Sequence, residues 1–413
     1  PIASHESKLD VIIALDENTK KINSDELKKE GFIIDYSKFL SFGINLNIAL
    51  AGALVKILGI DKEYFIKIVK KSLKNKSTFE NALKAAEAGY ASQIKIHNLK
   101  KLNNKSNLLS GSKAVAIGAI NSKIDLYLAY PMTPSTNAMH ELAKRQLDYN
   151  YMVFQPEGEI AVANMALGAS FSGAKVMVGT SGGGFDLMGE SLSFQGISEI
   201  PLVVYLASRP GPGTGIPTYN MQGDLDIALR TGHGEFPRIV IAPGDPIETI
   251  EKINEAFYLS QKFNALSIIL SDKHIAESEF SSNETINKPL PIKINRKIPG
   301  EEIVKATSYE HDKYGTTTEN PEIAIKNANA RLLKYKGIKK ESKKFEMIKF
   351  HGKKESKNLI IGWGSTKGVI IDAIKGLDYK FMQVLYMKPL SDKIKKEILK
   401  SKKVVLIEYN LTG

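Results

Sequence analysis

Residues 154–170 read FQPEGEIAVANMALGAS, and between Ile160 and Ala169 the only polar side chain is Asn164. A helix this apolar has no solvated face, so the sequence predicts a buried one. Two carboxylates, Glu157 and Glu159, stand at its head. One account is capping: acids in the first turn complement the helix dipole, and Pro156 suits the first helical position. The other is that one carboxylate is held in a dry site because chemistry needs it there.

Three further stretches could do chemistry. YPMTPST (130–136) sets prolines around Thr133, which stiffens the loop enough to hold the Thr133 and Ser135 hydroxyls at a ligand. The same hydroxyls would equally serve as an N-cap for a helix over 137–149. TSGGGFDLMGE (180–190) carries three consecutive glycines before a helix, where a ligand can approach bare backbone. It has neither the lysine of a P-loop nor the GxGxxG spacing. RPGPGTGIPT (209–218) is a loop headed by Arg209, a residue type that recognises carboxylate or phosphate but is commonest on surfaces. GWGSTKG (362–368) reads as a tight strand–helix turn. The seven histidines are scattered with no metal-ligand spacing, and no GxSxG elbow or serine triad can be assembled. With no side-chain nucleophile evident, a cofactor would supply the reactive atom.

The elements that position these stretches alternate regularly from residue 114. Apolar strands are expected in DLYLAY, YMVF, AKVMVGTS, PLVVYLAS, RIVIAP and ALSIILSD, separated by helices. That pattern implies a mostly parallel, doubly wound sheet whose ligands bind beyond the strands' C-terminal ends, where PMTPST, PEGE, TSGGG and SRPGPGTG lie. Before it, DVIIALDE (10–17) and EGFIIDYS (30–37) read as strands, followed by three helices and a polar linker at 99–113. After it, 276–350 reads as an extended connection with one helix at 322–336. A last α/β unit follows, from NLIIGWGSTKG to KVVLIEYNLTG.

The chain has 413 residues, 43% hydrophobic and 25% charged, enough for two to four domains. It contains no cysteine, which excludes disulfides, cysteine nucleophiles and cysteine-ligated iron–sulfur clusters from this polypeptide. The longest apolar candidate, Phe42 to Ile60, is interrupted by asparagines, glycines and Lys56, so no membrane span is expected. No signal peptide is visible in PIASHESKLD, and a cytoplasmic location is the default. The net charge of +12 resides on amphipathic helices such as 62–77 and 391–403, without aromatic platforms, so no nucleic-acid partner is expected.

Taken in order, YPMTPST, PEGEIAVANMALGAS, TSGGGFDLMGE and EIPLVVYLASRPGPGTGIPT resemble the α chain of 2-oxoacid:ferredoxin oxidoreductases, as do YEHDKYG, GWGSTKG and VVLIEYNLTG downstream. ALDENT through EAGYASQ is similar to the γ domain that some members fuse ahead of α. The resemblance implies a pyrimidine-type thiamine diphosphate domain at 114–275. It is preceded by a partial γ domain (1–100) and a linker (101–113), and followed by an extended connection (276–352) and a truncated transketolase C-terminal-like α/β domain (353–413). The family's γ domain opens with a glycine-rich strand–turn–helix not found ahead of Pro1, and its α chain usually continues past Gly413. The short junction DYSKFLSFGINLN implies that residues have been dropped there as well.

The implied activity is decarboxylation of a 2-oxoacid such as 2-oxoglutarate or pyruvate, acyl transfer to coenzyme A, and electron transfer to ferredoxin. A β subunit would hold the cofactor's diphosphate, Mg2+ and a [4Fe-4S] cluster, in keeping with the absence of cysteine here. The family's catalytic glutamate aligns with Glu159, which would share a proton with a ring nitrogen of the aminopyrimidine; Glu157 would be an ordinary first-turn acid. Thr133 and Arg209 match positions that hold the 2-oxoacid, within a substrate loop that includes Tyr130, Pro131 and Ser135. Ser181, Gly182 and Gly183 would line the cofactor, and no metal ligand is expected on this chain. The alternatives are a transketolase-like or decarboxylase chain, and a non-catalytic scaffold. The former would need a Gly-Asp-Gly diphosphate motif that GDLD (223–226) and GDPIE (244–248) do not extend into.

Overall fold

The computed structural model describes residues 8–73, 76–99, 106–294 and 296–413. The chain divides into two compact units, residues 4–105 and 106–413.

In the first unit, β1 (Leu9–Ala14) leads through α1 (Glu17–Asn23) to β2 (Leu27–Asp35), and the two strands pair in parallel. Three helices follow: α2 (Leu46–Ile57), α3 (Lys62–Ser72) and α4 (Lys76–Ala91). Gly52 and Gly89 let α2 and α4 touch backbone to backbone: a methyl group at Gly89 would stand 1.8 Å from the Ala49 carbonyl oxygen. The run 36–57 is long and apolar enough by composition to cross a membrane. Gly43, at φ 51°, interrupts it, and Ala49, Leu50, Ala53 and Ile57 are buried in this unit's core.

The second unit opens with β3 (Asn107–Ser110) and α5 (Gly111–Asn121). The expected linker is therefore structured from 107 onward, because Asn107–Ser110 pairs with a later strand; residues 100–105 lie outside the described residues. The alternation then runs β4 (Leu126–Ala129), α6 (Thr136–Ala143), α7 (Gln146–Tyr149), β5 (Met152–Phe154) and α8 (Glu159–Phe171). It continues with β6 (Val176–Thr180), α9 (Gly182–Leu187), α10 (Gly189–Ser198), β7 (Leu202–Ser208), α11 (Leu225–Arg230) and β8 (Arg238–Ile241). It closes with α12 (Pro246–Phe263), β9 (Leu266–Asp272), α13 (Lys273–Glu277) and β10 (Glu279–Ser282), which pairs with β3. The single helix expected over 137–149 is broken at Lys144 and Arg145.

Strands β4 to β9 form a parallel sheet in the order β8-β9-β7-β6-β4-β5. Every residue of β7 and β9 is buried, as continuous apolar runs require when both faces are covered. One face carries α5, α6 and α12, through Val115, Leu142 and Phe257; the other carries α8, α9 and α10, through Val162, Phe185 and Leu192. The connections from β4 and β6, which are sheet neighbours, leave to opposite faces. That opens a crevice at their C-terminal ends, the place where doubly wound sheets take ligands.

The connection beyond β10 contains α14 (Pro321–Ser342), six residues longer at its C-terminus than expected, and β11 (Ile348–Gly352) already belongs to the next sheet. The chain continues through β12 (Asn358–Gly362), α15 (Thr366–Ala373), β13 (Lys380–Val384), β14 (Tyr386–Lys388), α16 (Asp392–Lys400) and β15 (Lys403–Ile407), of which β12, β13 and β15 join that sheet. Its order is β11-β13-β12-β15, with only β11 antiparallel; β14 leaves it to pair antiparallel with β8 of the large sheet.

Candidate functional site

The helix with carboxylates at its head starts later than Pro156 implied. Gly158 is the N-cap, without a capping side chain, and Glu159 is the first helical residue. Glu157 lies outside the first turn and is exposed, so it is not the capping acid. Nor is α8 wholly buried: Ile160 and Met165 stand in solvent while Val162, Ala163, Ala166 and Leu167 face the sheet.

Glu159 is only 7% exposed. Its carboxylate accepts no hydrogen bond from the described residues. It packs on the third glycine of the run: a methyl group at Gly184 would stand 2.6 Å from Glu159 Oε1 and 2.3 Å from Thr180 Oγ1. The three glycines are not a turn before a helix but the first three residues of α9. Each has its own neighbour. Gly182 is covered by Asp224, whose carboxylate oxygens would lie 2.5 and 2.7 Å from an added methyl group. Gly183 is open, with Gly213 and Met132 at 3.8 Å. Ser181, the α9 N-cap, is buried, and its hydroxyl neither caps the helix nor finds another partner among the described residues.

Arg209 follows β7 and is 8% exposed, so it is no surface arginine. Its Nη1 donates to the Thr133 carbonyl at 2.7 Å, which joins the loops after β4 and β7. Among the described residues no carboxylate comes within ion-pair distance of it. Burial pushes its pKa below the ordinary value, and the charge of nearby Asp224 opposes that shift. A buried, incompletely neutralised guanidinium has the charge and donors to receive an anionic ligand.

Thr133 is half-buried and presents its hydroxyl without a protein partner among the described residues. Ser135 is fully buried, and its hydroxyl donates to the Met132 carbonyl at 2.6 Å, so it neither caps α6 nor offers a proton to a ligand. Tyr130 and Pro131 stand exposed. Thus Glu159, Ser181, Gly182, Gly183, Thr133 and Arg209 gather around one crevice through the chain of contacts Glu159–Gly184, Gly183–Met132 and Gly182–Asp224, and through Arg209–Thr133. The Tyr130 carbonyl accepts a hydrogen bond from the Met132 N–H, which ties it to the same loop, while its ring and Pro131 face solvent.

Asp224 and Gln222 carry no functional signal in the sequence: GDLD is too short for a diphosphate motif, and a lone aspartate before a helix otherwise signals a cap. Gln222, 1% exposed, fastens the Arg209–Asp224 loop to the last α/β layer: its Nε2 donates to the Trp363 carbonyl at 2.9 Å and its Oε1 accepts from the Tyr409 N–H at 3.0 Å. GWGSTKG is a tight strand–helix turn, as expected, with Gly364 at φ 57° against Gln222. No cluster of metal-ligating side chains occurs among the described residues.

The thiamine diphosphate-binding family of pyruvate flavodoxin/ferredoxin oxidoreductases matches residues 117–346. The α subunit of 2-oxoacid:ferredoxin oxidoreductase from Saccharolobus solfataricus is 32% identical over 412 residues, covering 89% of this chain and 65% of that one. The 2-oxoglutarate synthase subunit KorA of Methanocaldococcus jannaschii is 31% identical over 332 residues, 74% of this chain and 89% of that one. The solved 2-oxoglutarate:ferredoxin oxidoreductase from Magnetococcus marinus, which has 2-oxoglutarate, coenzyme A and succinyl-CoA bound, superposes with a TM-score of 0.87. That superposition spans all of this chain and 83% of that one, and at 24% identity it shows a likeness of fold. The chain therefore belongs to the pyruvate flavodoxin/ferredoxin oxidoreductase family and contains its thiamine diphosphate-binding domain, while spanning 65% of the length of the Saccharolobus relative.

Proposed function

We propose that this chain is the γ–α fused subunit of a CoA-acylating 2-oxoacid:ferredoxin oxidoreductase that decarboxylates 2-oxoacids such as 2-oxoglutarate and pyruvate in the cytoplasm. Residues 1–100 would serve as γ-domain sequence, 114–275 as the pyrimidine-type domain and 353–413 as the transketolase C-terminal-like domain. The observation that carries the reading is Glu159: a buried carboxylate that accepts no hydrogen bond from the described residues, held against Gly184 at a sheet crevice. An acid placed this way is dry, fixed and vacant, which is how a proton-sharing group must be presented to a ring nitrogen.

The residues fit thiamine diphosphate. Gly183 leaves bare backbone where a flat ring needs close approach, and the orphaned Ser181 hydroxyl lacks only a ligand. When bound, the cofactor supplies the carbon nucleophile and electron sink that decarboxylation of a 2-oxoacid requires. Glu159 holds the shared proton on its carboxyl oxygen. The buried face of α8 keeps water from it. Arg209 binds the oxoacid carboxylate, and the Thr133 hydroxyl orients that carboxylate or the adjacent keto oxygen.

The partner would be a β subunit bearing Mg2+, the cofactor diphosphate and a [4Fe-4S] cluster that passes electrons to ferredoxin. Apolar Ile160 and Met165 on α8, and Met152 and Phe154 on edge strand β5, are exposed, which suits coverage by such a chain. The test is anaerobic reduction of a low-potential dye by the chain with its copurifying partner. Turnover that needs both an oxoacid and coenzyme A supports the proposal. Decarboxylation by the isolated chain without coenzyme A would overturn it.

A further inference from the structure

Asp224 sits where a helix cap belongs and does not cap. It is the N-cap residue of α11, yet its side chain accepts no hydrogen bond from that helix's N–H groups. The carboxylate turns the other way and lies over Gly182, so close that a methyl group there would collide with both oxygens. Its Oδ2 is buried without a partner. Among the described residues the cation that influences it is Arg209, which stands near enough to feel its charge but beyond ion-pair distance. An Asp that gives up a cap worth about 1 kcal/mol and leaves a carboxylate oxygen unsatisfied is held there by something else.

We infer that Asp224 is a positioning residue that draws the Arg209 guanidinium toward the glycine run while the crevice is empty, and competes with the carboxylate of the incoming 2-oxoacid once it arrives. This rests on the function proposed above, because it needs Arg209 to receive an oxoacid. Asp224 and the substrate carboxylate are two anions facing one buried cation, so each weakens the other's hold on it. Gln222, two residues before Asp224, keeps the loop from retreating when the second anion enters. Burial raises the Asp224 pKa, with the Ser208 hydroxyl and Arg209 opposing, so protonation offers the loop a way to relieve the repulsion. The other charged groups around it are Asp226 in its own helix and Glu408, which line the same cleft, and Glu159 beyond the glycine run.

The test uses the assembled complex and compares the wild type with Asp224→Asn and Asp224→Ser, two neutral variants that do not share packing. At pH 7.5 both should lower KM for pyruvate and 2-oxoglutarate by about three- to tenfold, with kcat within about twofold. As pH falls, the wild-type KM should drop toward the variants' value while theirs stays flat. A merely structural role would raise KM or lower Tm instead. An unchanged or raised KM in both variants, with the wild type active, overturns the inference and leaves the proposed function standing. No oxoacid-dependent turnover in the wild type overturns both.

Discussion

Gly184→Ala is the substitution by which the site geometry can be checked without touching an ionisable group. Gly184 lies in the first turn of α9 with ordinary helical backbone, so alanine is conformationally allowed there and favoured by about 1 kcal/mol in helix propensity. The added methyl group would stand 2.6 Å from Glu159 Oε1 and 2.7 Å from its Cγ, where ordinary contact begins at 3.4 Å. Glu159 must then retreat by about 0.8 Å, and Thr180, at 2.3 Å, must also yield. Overpacking of this kind costs about 1–3 kcal/mol, which the helix gain partly offsets, so Tm should fall by only a few degrees. Misplacing a reacting group by about 1 Å costs about 10²-fold in rate. Anaerobic oxoacid- and CoA-dependent dye reduction should therefore drop about 10²-fold in a complex that still assembles and melts near the wild-type temperature. Activity within threefold of wild type would mean that Glu159 is not held by Gly184 for the reaction.

Other outcomes follow from the same contacts. Arg209→Ala should raise KM for the oxoacid by about 10- to 100-fold, the worth of a charge-assisted hydrogen bond, and an unchanged KM would remove Arg209 from the site. Glu248 is 1% exposed at the junction of α12 and the last sheet, bonded to Lys367 at 2.7 Å, Lys349 at 3.0 Å, Gln383 at 2.7 Å and the Gly244 N–H at 2.7 Å. Burial would raise its pKa, but Lys367 and Lys349 outweigh that and hold it at about 2, against 4.5 unfolded. A depressed carboxylate contributes stability above its unfolded pKa and loses it as pH falls, so stability should drop between about pH 4.5 and 2. Glu248→Gln should destabilise the fold by about 3 kcal/mol at pH 7 in urea titrations and flatten that acid limb; a variant of unchanged stability would refute the account of this cluster.

The six parallel strands of the large sheet were legible because buried parallel strands are written as unbroken apolar runs, and the loops that follow them concentrate proline, glycine and hydroxyls; β3, β10 and β11, in the expected linker and connection, have no such runs. The same local logic misplaced the start of α8. Pro156 is a fair helix opener by type, but the chain enters the helix only at Glu159, and that leaves Glu157 in solvent. An apolar composition promised burial on every side of α8, yet Ile160 and Met165 are exposed, because composition cannot tell a core face from one that suits a partner. The glycine run was recognised as a place of close approach, but its neighbours Glu159 and Asp224 are 25 and 42 positions from Gly184 and Gly182, beyond the reach of local pattern. Ser135 illustrates a third limit: its hydroxyl is spent on the Met132 carbonyl of its own loop, which no spacing rule reveals.

The central claim is that Glu159 is a proton-sharing carboxylate rather than a helix cap, and Glu159→Gln tests it most directly. Glutamine keeps the shape, can sit at the same helical position and cannot share the proton. The account predicts a loss of about 10²–10⁴-fold in oxoacid- and CoA-dependent dye reduction, with KM, Tm and assembly with the partner retained. Full turnover by Glu159→Gln would contradict it and return Glu159 to the first turn of an ordinary helix.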